Sequence, residues 1–457
     1  MKGATWESEM DGDLSVIESI RQRKTNVAIL GLGRVGLPTA LAFANAGFHV
    51  TGAEIDQNKV DALRQGTSYI TEPGIQDTLR ACLEKGTFSA TSSISDAVHE
   101  NDIVSICVPT PVKNSVPNLT IFEAAFEEVK RGAHRNLVVL IESTLPPSTT
   151  SSFAVPQLEA LGYRVDGDIF LAYCPERLAP TLALKEFKNT TRIVGGVGPR
   201  SGRIAKEFYD TVCREVVLTS ALTAEMSKVA ENTFRDLNIA YANLLALISE
   251  HIGADVLEII ALANTHPRVS IHEPGLGVGG PCIPKDPYLL MYGTPPNMVE
   301  LVKQGRLLND YMPKHVIEIM MNESVRGGKE IRNSKVAVLG VTYKADIDDV
   351  TNSPAKPLIE DLLKNGASVT VYDPHTLITF GAERCDSVQQ AILDADWIVI
   401  ATGHQCFRFL GSLLEKNITK PHCAIFDGSR VLDRKHVRSL GLKYFGTGYG
   451  PSLAEHA

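Results

Sequence analysis

Cys282 closes a glycine-dense run, Gly275-Leu276-Gly277-Val278-Gly279-Gly280-Pro281-Cys282-Ile283-Pro284-Lys285-Asp286. Glycines this dense leave the backbone free to approach a ligand. A lone cysteine is more often structural than reactive. One that follows such a loop, with a Lys and an Asp at its flank, is a candidate nucleophile. A second patch, Glu225 to Asp236, places Lys228 and Asn232 four residues apart on one helix face, with Arg235 beside them. Taken alone, such charges are the usual solvated face of a helix. A third, Ala172-Tyr173-Cys174-Pro175-Glu176-Arg177-Leu178, follows a predicted strand, where the sites of α/β proteins gather.

A fourth patch is a cofactor signature. Asn26–Leu30 reads as a strand and runs into Gly31-Leu32-Gly33-Arg34-Val35-Gly36, after which a helical pattern begins. Between a strand and a helix, GxGxxG is the dinucleotide fingerprint: a tight turn at Gly31, close approach to a pyrophosphate at Gly33, helix–strand packing at Gly36. The helix start adds N–H donors and the positive end of its dipole. The next strand ends at Glu54, close to twenty residues on, where a carboxylate accepts both ribose hydroxyls. Asp56 follows and no Arg does, so a 2′-phosphate would meet negative charge, and NAD is favoured over NADP.

These patches need a frame. Apolar runs at Val27–Leu30, His49–Thr51, Ile103–Val108, Leu137–Ile141 and Ile169–Ala172 alternate with helical patterns at Pro38–Ala46, Asn58–Arg64 and Ile121–Arg131. That alternation predicts a parallel sheet with helices on both faces. From Thr223 to about Glu250 a run without Gly or Pro predicts one long helix, and Ala230, Ala240, Ala242 and Ala246 would let it pack closely against a twin in a homodimer. Strands return at Val336–Leu339, Ser368–Tyr372, Trp397–Ala401 and Ala424–Phe426, after a linker at Arg326–Lys329. The expected fold class is α/β: two Rossmann-like, doubly wound parallel-sheet domains joined by a helical middle domain. Its expected boundaries are 25–219, 220–325 and 326–457, with 1–24 a poorly ordered extension holding at most a short helix.

Bulk properties exclude several classes. With 457 residues and a formal net charge of −8, nothing points to nucleic acid or a membrane surface. No apolar run spans a bilayer and the first residues lack a signal-peptide core, so a cytoplasmic location is expected. Eight cysteines without a CxxC pair read as reduced thiols, and their spacing gives no metal site.

In these motifs the chain resembles the UDP-glucose/GDP-mannose dehydrogenase family. The resemblance is carried by Gly31–Gly36, Val108-Pro109-Thr110-Pro111, Glu142-Ser143-Thr144-Leu145-Pro146-Pro147, Pro175-Glu176-Arg177, Glu231–Ala240, Gly279–Asp286, Tyr343-Lys344 and Ser353-Pro354-Ala355. It runs from about Asn26 to Arg430. It implies an oxidoreductase in which two hydrides pass from C6 of a UDP-sugar to NAD, with Cys282 holding first a thiohemiacetal and then a thioester that water hydrolyses to the uronate. It implies that Gly31, Leu32, Gly33, Arg34, Val35, Gly36, Glu54, Lys59, Thr110 and Thr144 hold NAD. Lys228 would stabilise the oxyanion and exchange its proton, and Asn232 would orient that oxygen or a water. Asp286 and Glu176 would place or activate water, helped by Thr144. Substrate contacts would come from Arg177, Leu178, Lys228, Asn232, Arg235, His266, Arg268 and Gly277, with Lys344 and Arg430 at the UDP end.

The stretch Asn264–His272, with Asn232–Asp236, is similar to the branch acting on UDP-N-acetylhexosamines, UDP-N-acetyl-D-mannosamine first among them. Four departures bear on the sugar: Pro281 where that branch has His, Thr351 in place of the Arg before Ser353-Pro354-Ala355, Thr181 after Pro180 where a Gly is usual, and a short loop after Pro111. Two other readings stay open, a single-hydride hydroxyacid dehydrogenase and a binding module that has lost its chemistry. Cys282 in its glycine loop and the second α/β domain speak against the first, and retention of Cys282, Lys228, Asn232 and Asp286 together speaks against the second.

Overall fold

The computed structural model describes residues 14–177, 183–416 and 419–449. The chain divides into two compact units, residues 1–231 with 288–292, and residues 232–287 with 293–457. The division falls inside the long helix Ala221–Ile252, so the segment expected as a middle domain contributes its first turns and residues 288–292 to one unit and the rest to the other.

The first unit is built on β1 (Asn26–Leu30), β2 (His49–Ala53), β3 (Phe88–Thr91), β4 (Ile103–Ile106), β7 (Val138–Ile141), β8 (Phe170–Tyr173), β9 (Arg192–Gly196) and β10 (Val216–Ser220), with a separate hairpin of β5 (Val112–Lys113) and β6 (Val116–Pro117). The sheet order is β10-β9-β8-β7-β4-β1-β2-β3. Successive side chains of a strand face opposite ways. Accordingly Val27 and Ile29 enter one core and Ala28 and Leu30 the other. Because helices cover both faces, β4, β7 and β8 are buried throughout, as near-continuous apolar runs require.

The doubly wound sheet is therefore as expected, with one step that alternation did not reveal. β9 pairs antiparallel to β8, while β10 runs parallel to β9. A buried ion pair links this region to the rest of the sheet: Arg192 on β9 meets Glu142, just after β7, at 2.5 Å, and Tyr209 donates to the same carboxylate at 2.7 Å. The short loop after Pro111 is the β5–β6 hairpin, whose turn residues Asn114 and Ser115 are both left-handed, as a two-residue hairpin turn demands.

The second unit carries a six-stranded, wholly parallel sheet of β11 (Lys335–Leu339), β12 (Ser368–Tyr372), β13 (Glu383–Arg384), β14 (Trp397–Ile400), β15 (Ala424–Asp427) and β16 (Lys443–Gly446), in the order β13-β12-β11-β14-β15-β16. Two long helices accompany it, residues 232–252 of Ala221–Ile252 and all of Glu300–Arg326. A buried polar seam joins them. Arg306 pairs with Asp236 at 2.5 Å, Asn309 donates to Asp236 at 2.9 Å, and Asn243 donates to Asn309 at 2.9 Å. Ala240, Ala242 and Ala246, expected to face a twin, are buried within their own chain. The last two pack on Val256 and Ile260. The outward face instead carries Phe234, Tyr241, Leu244, Ile248 and Ile252.

Candidate active site

The glycine loop sits where the strand order of the first sheet reverses, between β1 and β4. Gly31 donates to the Ala53 carbonyl at 2.8 Å and takes φ +86°, a conformation that side chains disfavour. A Cβ on Gly36 would stand 1.9 Å from the Gly31 carbonyl oxygen, whereas one on Gly33 would meet no atom within 4 Å. The helix Gly36–Asn45 begins with no side-chain cap and no acid in its first turn, and although Leu37 N–H is taken by the Gly33 carbonyl at 3.1 Å the dipole end favours an anion there. Glu54 is buried at the end of β2. One oxygen accepts from Leu32 N–H at 3.1 Å and the other from Asp56 N–H at 3.2 Å. That fixes the carboxylate against the loop with lone pairs left for a ribose.

Tyr69, which the motifs gave no role, donates to the Leu32 carbonyl at 2.6 Å and supports the loop from beneath. The Lys59 ammonium lies 5.5 Å from the Tyr69 ring centre. Thr110, after β4, donates to the Thr144 carbonyl at 2.6 Å, and Ser143 binds the backbone of Val108, so the two predicted threonine segments do meet. Arg34 is exposed. A cradle with space at Gly33, an open helix start and a placed carboxylate fits NAD.

Lys228 is buried in the first unit. Its ammonium donates to the Glu176 carbonyl and lies 3.7 Å from the Glu176 carboxylate. Arg177, expected to touch substrate, is already held: Glu231 pairs with it at 2.8 Å and the Thr191 carbonyl accepts from it at 2.8 Å. Leu178 and Thr181 lie outside the described residues.

In the second unit Cys282 is half-exposed. Its carbonyl accepts from Lys285 N–H at 3.0 Å and Asp286 N–H at 2.9 Å, which turns the chain tightly. Asp286 is fully buried, takes the Asn232 amide at 2.6 Å and pairs with Lys285 at 2.7 Å. Three of the predicted residues are thus gathered by one turn. The glycines before Cys282 are needed for packing. A Cβ on Gly279 would stand 2.5 Å from Tyr343 Cβ, and one on Gly280 would stand 2.9 Å from the Tyr343 ring. Gly280 donates to the Thr351 carbonyl at 2.8 Å and Asn352 donates to the Gly280 carbonyl at 3.1 Å, so the departed Thr351 segment itself braces the cysteine loop. Gly277, at φ +132°, lies against the Asn309 carbonyl.

The other predicted contacts are more dispersed. Arg235, His266, Arg268 and Lys344 are exposed. Arg430 is not free to meet a ligand in this state: it pairs with Asp255 at 2.9 Å, donates to the Thr447 carbonyl at 3.0 Å and lies over Tyr449. At the strand-order reversal of the second sheet, Asp373 accepts from Val341 N–H at 2.7 Å and contacts buried His404 at 3.0 Å. Cysteine spacing had offered no metal site, but ligand atoms of Asp346, His375 and His404 lie within 4.8 Å of one another. His404 Nδ1 takes the Asp346 N–H at 2.9 Å and its Nε2 faces Asp373, so both ring nitrogens are engaged within the protein.

Residues 25–213 match the NAD binding domain of the UDP-glucose/GDP-mannose dehydrogenase family, 222–311 its central domain and 337–434 its UDP binding domain. The chain is 38% identical to the UDP-N-acetyl-D-mannosamine dehydrogenase of Pyrococcus horikoshii, over 93% of this chain and 99% of that one. It is 36% identical to the NDP-N-acetyl-D-galactosaminuronic acid dehydrogenase of Ralstonia nicotianae, over 84% and 92%. A solved structure of the Pyrococcus horikoshii UDP-D-ManNAc dehydrogenase superposes with a TM-score of 0.88 at 37% identity, covering 93% of this chain and 99% of that one.

Proposed function

The chain belongs to the UDP-glucose/GDP-mannose dehydrogenase family and is an NAD-dependent nucleotide-sugar dehydrogenase, and from that premise we propose that it oxidises the C6 hydroxyl of UDP-N-acetyl-D-mannosamine to the carboxylate. The observation that carries the four-electron reading is the turn at Cys282. A half-exposed thiol stands on a glycine loop braced by Tyr343 and Asn352, next to the buried Asn232–Asp286–Lys285 group. A single-hydride enzyme needs no such thiol.

Bound at the Gly31–Gly36 loop and Glu54, NAD supplies the acceptor for a hydride from C6 in each of two oxidations. The Lys228 ammonium stabilises the charge that develops on the C6 oxygen in the first, while the hydroxyl proton is released to solvent. The Cys282 thiol then adds to the aldehyde: the S–C6 bond forms and the thiol proton passes to O6, giving a thiohemiacetal that cannot diffuse away. Loss of the second hydride and the O6 proton leaves a thioester on Cys282. Water, held by Asp286 and Glu176, attacks the acyl carbon, and the Cys282 thiolate departs. Alcohol, water and two NAD yield carboxylate, two NADH and three protons. Lys344 serves the UDP end.

The choice of sugar rests on relatives named for UDP-N-acetyl-D-mannosamine. The galactosaminuronic acid relative keeps a second N-acetylhexosamine in view. Comparing kcat/KM for UDP-N-acetyl-D-mannosamine, UDP-N-acetylglucosamine, UDP-N-acetylgalactosamine and UDP-glucose tests it. The mannosamine sugar should lead, and turnover of UDP-glucose alone would reject an N-acetylhexosamine substrate. The working form is a homodimer: the exposed stripe Phe234, Tyr241, Leu244, Ile248 and Ile252 follows one face of the long helix and a second copy would cover it.

A further inference from the structure

We propose that Glu225 is a positioning residue for Lys228, fixing the helix that presents the ammonium against the segment that carries Thr144. The inference rests on the catalytic role proposed for Lys228.

Glu225 lies in the first turns of the helix Ala221–Ile252 and is fully buried. Lys228 lies three positions further along, so the two share a face of that helix. Its carboxylate accepts from Ser148 N–H at 2.6 Å, Thr150 N–H at 2.7 Å and the Thr150 hydroxyl at 2.6 Å. These donors belong to the segment directly after Thr144. Two features mark the segment as one that must be held. Ser148 takes φ +76°, in the left-handed region, and residues Thr150–Ala154 form a π-helical turn with no side-chain cap of its own. Glu225 satisfies N–H groups at the start of that turn and stabilises the strained residue. Ala221 and Ala224, on the same helix turns, pack into the core beneath.

The arrangement calls for a carboxylate specifically. All three facing groups are donors, and an ionised carboxyl is acceptor-only. Burial pushes the Glu225 carboxyl above its ordinary range, and the bonds from Thr150 and Ser148 oppose this only in part. An amide would turn an NH2 toward a backbone N–H and release one side of the clamp. Lys228 has little freedom of its own, held as it is by the Glu176 carbonyl and carboxylate. A shift of the helix is therefore felt at the ammonium.

The test is a double-mutant cycle on the whole enzyme. Glu225→Gln and Thr150→Val, which removes only the hydroxyl donor, are made alone and with Lys228→Ala. The readouts are kcat, sugar KM, NAD affinity by fluorescence titration, and Tm. Alone, Glu225→Gln should lower kcat on the order of 10- to 100-fold with sugar KM and NAD affinity held within about two-fold, because misplacement acts on the transition state. Thr150→Val should do the same to a smaller extent. In the Lys228→Ala background either change should alter the residual rate by less than about two-fold, since coupled groups are non-additive. Equal losses in both backgrounds would show an ordinary structural role and overturn the proposal. Unchanged kcat in Glu225→Gln, or in Thr150→Val if Glu225→Gln does not fold, would do so too. Full activity of Lys228→Ala would instead remove the role of Lys228 itself, a separate failure that needs neither Glu225→Gln nor Thr150→Val to detect.

Discussion

Two glycines of one loop predict opposite behaviour. At Gly36 a new Cβ would stand 1.9 Å from the Gly31 carbonyl oxygen and 3.1 Å from Cys107 Cβ, where real side chains keep at least about 3.0 Å. Backbone must move by roughly 1 Å, because neither the oxygen nor the buried strand end behind it belongs to a flexible side chain. Overpacking of this kind costs about 1–3 kcal/mol. In a unit of this size that lowers Tm by about 2–10 °C. It also displaces Gly31, whose φ of +86° sets the turn, so NAD affinity falls with it. At Gly33 a Cβ meets nothing within 4 Å, so Gly33→Ala should leave Tm unchanged. The same methyl occupies space reserved for a pyrophosphate, and NAD affinity should fall by about 10-fold or more, the effect of about 1–3 kcal/mol. Differential scanning calorimetry of each variant without cofactor, and NAD titration by protein fluorescence, separate the effects. Wild-type NAD affinity in Gly33→Ala would refute the placement of the cofactor, and unchanged Tm in Gly36→Ala would refute the packing argument.

Other outcomes follow from the same geometry. Cys282→Ala should abolish uronate formation with NAD binding intact; normal turnover would sink the nucleophile assignment. Brief alkylation of the native protein should modify half-exposed Cys282 and exposed Cys406, sparing Cys107, Cys174 and Cys423, whose thiols burial shields and pushes up; peptide mass mapping reads this directly. Paired Tyr241→Asp and Ile248→Asp should halve the mass seen by light scattering, and an unchanged mass would place the interface elsewhere. Burial alone would raise the Asp373 carboxyl, but bonds from His404, Val341 and His375 outweigh it and hold the group below its ordinary 3.8. Its stabilisation is therefore present above pH 3.8 and lost as pH falls through the depressed folded value. Asp373→Asn should cost about 1–3 kcal/mol at neutral pH. In urea titrations the gap from wild type should narrow below pH 3.8, and a constant gap down to pH 3 would contradict the reading.

Much of this was legible because the signals are local. β1, β4, β7 and β8 announce themselves as apolar runs buried on both faces. β9 and β10 do not. β9 ends in Gly195 and Gly196, which are required because Cβ atoms there would meet Ala224 and Gly202 at 2.6 Å. β10 lies at the sheet edge and leaves Val217 and Leu218 exposed, which erases its alternation. Glu300–Arg326 contains Gly305 and Pro313, both of which read as breaks. Tertiary packing overrides that reading, since a Cβ at Gly305 would stand 2.6 Å from Leu237. Motifs point to the residues proposed to face ligands. They could not reveal Tyr69, Glu225, Asp373 or His404, whose partners are distant in sequence. Nor could residue size tell which face of the long helix its alanines occupy: Ala240, Ala242 and Ala246 serve the chain's own core while Ala230 is exposed, and larger apolar residues turn outward.

The central claim is that one chain carries an alcohol through an aldehyde held on Cys282 to an acid. Counting NADH formed per UDP-sugar consumed, with excess NAD and UDP-N-acetyl-D-mannosamine, tests it most directly. The account predicts two NADH for each uronate released and no free aldehyde. One NADH per sugar, with aldehyde as the product, would contradict it.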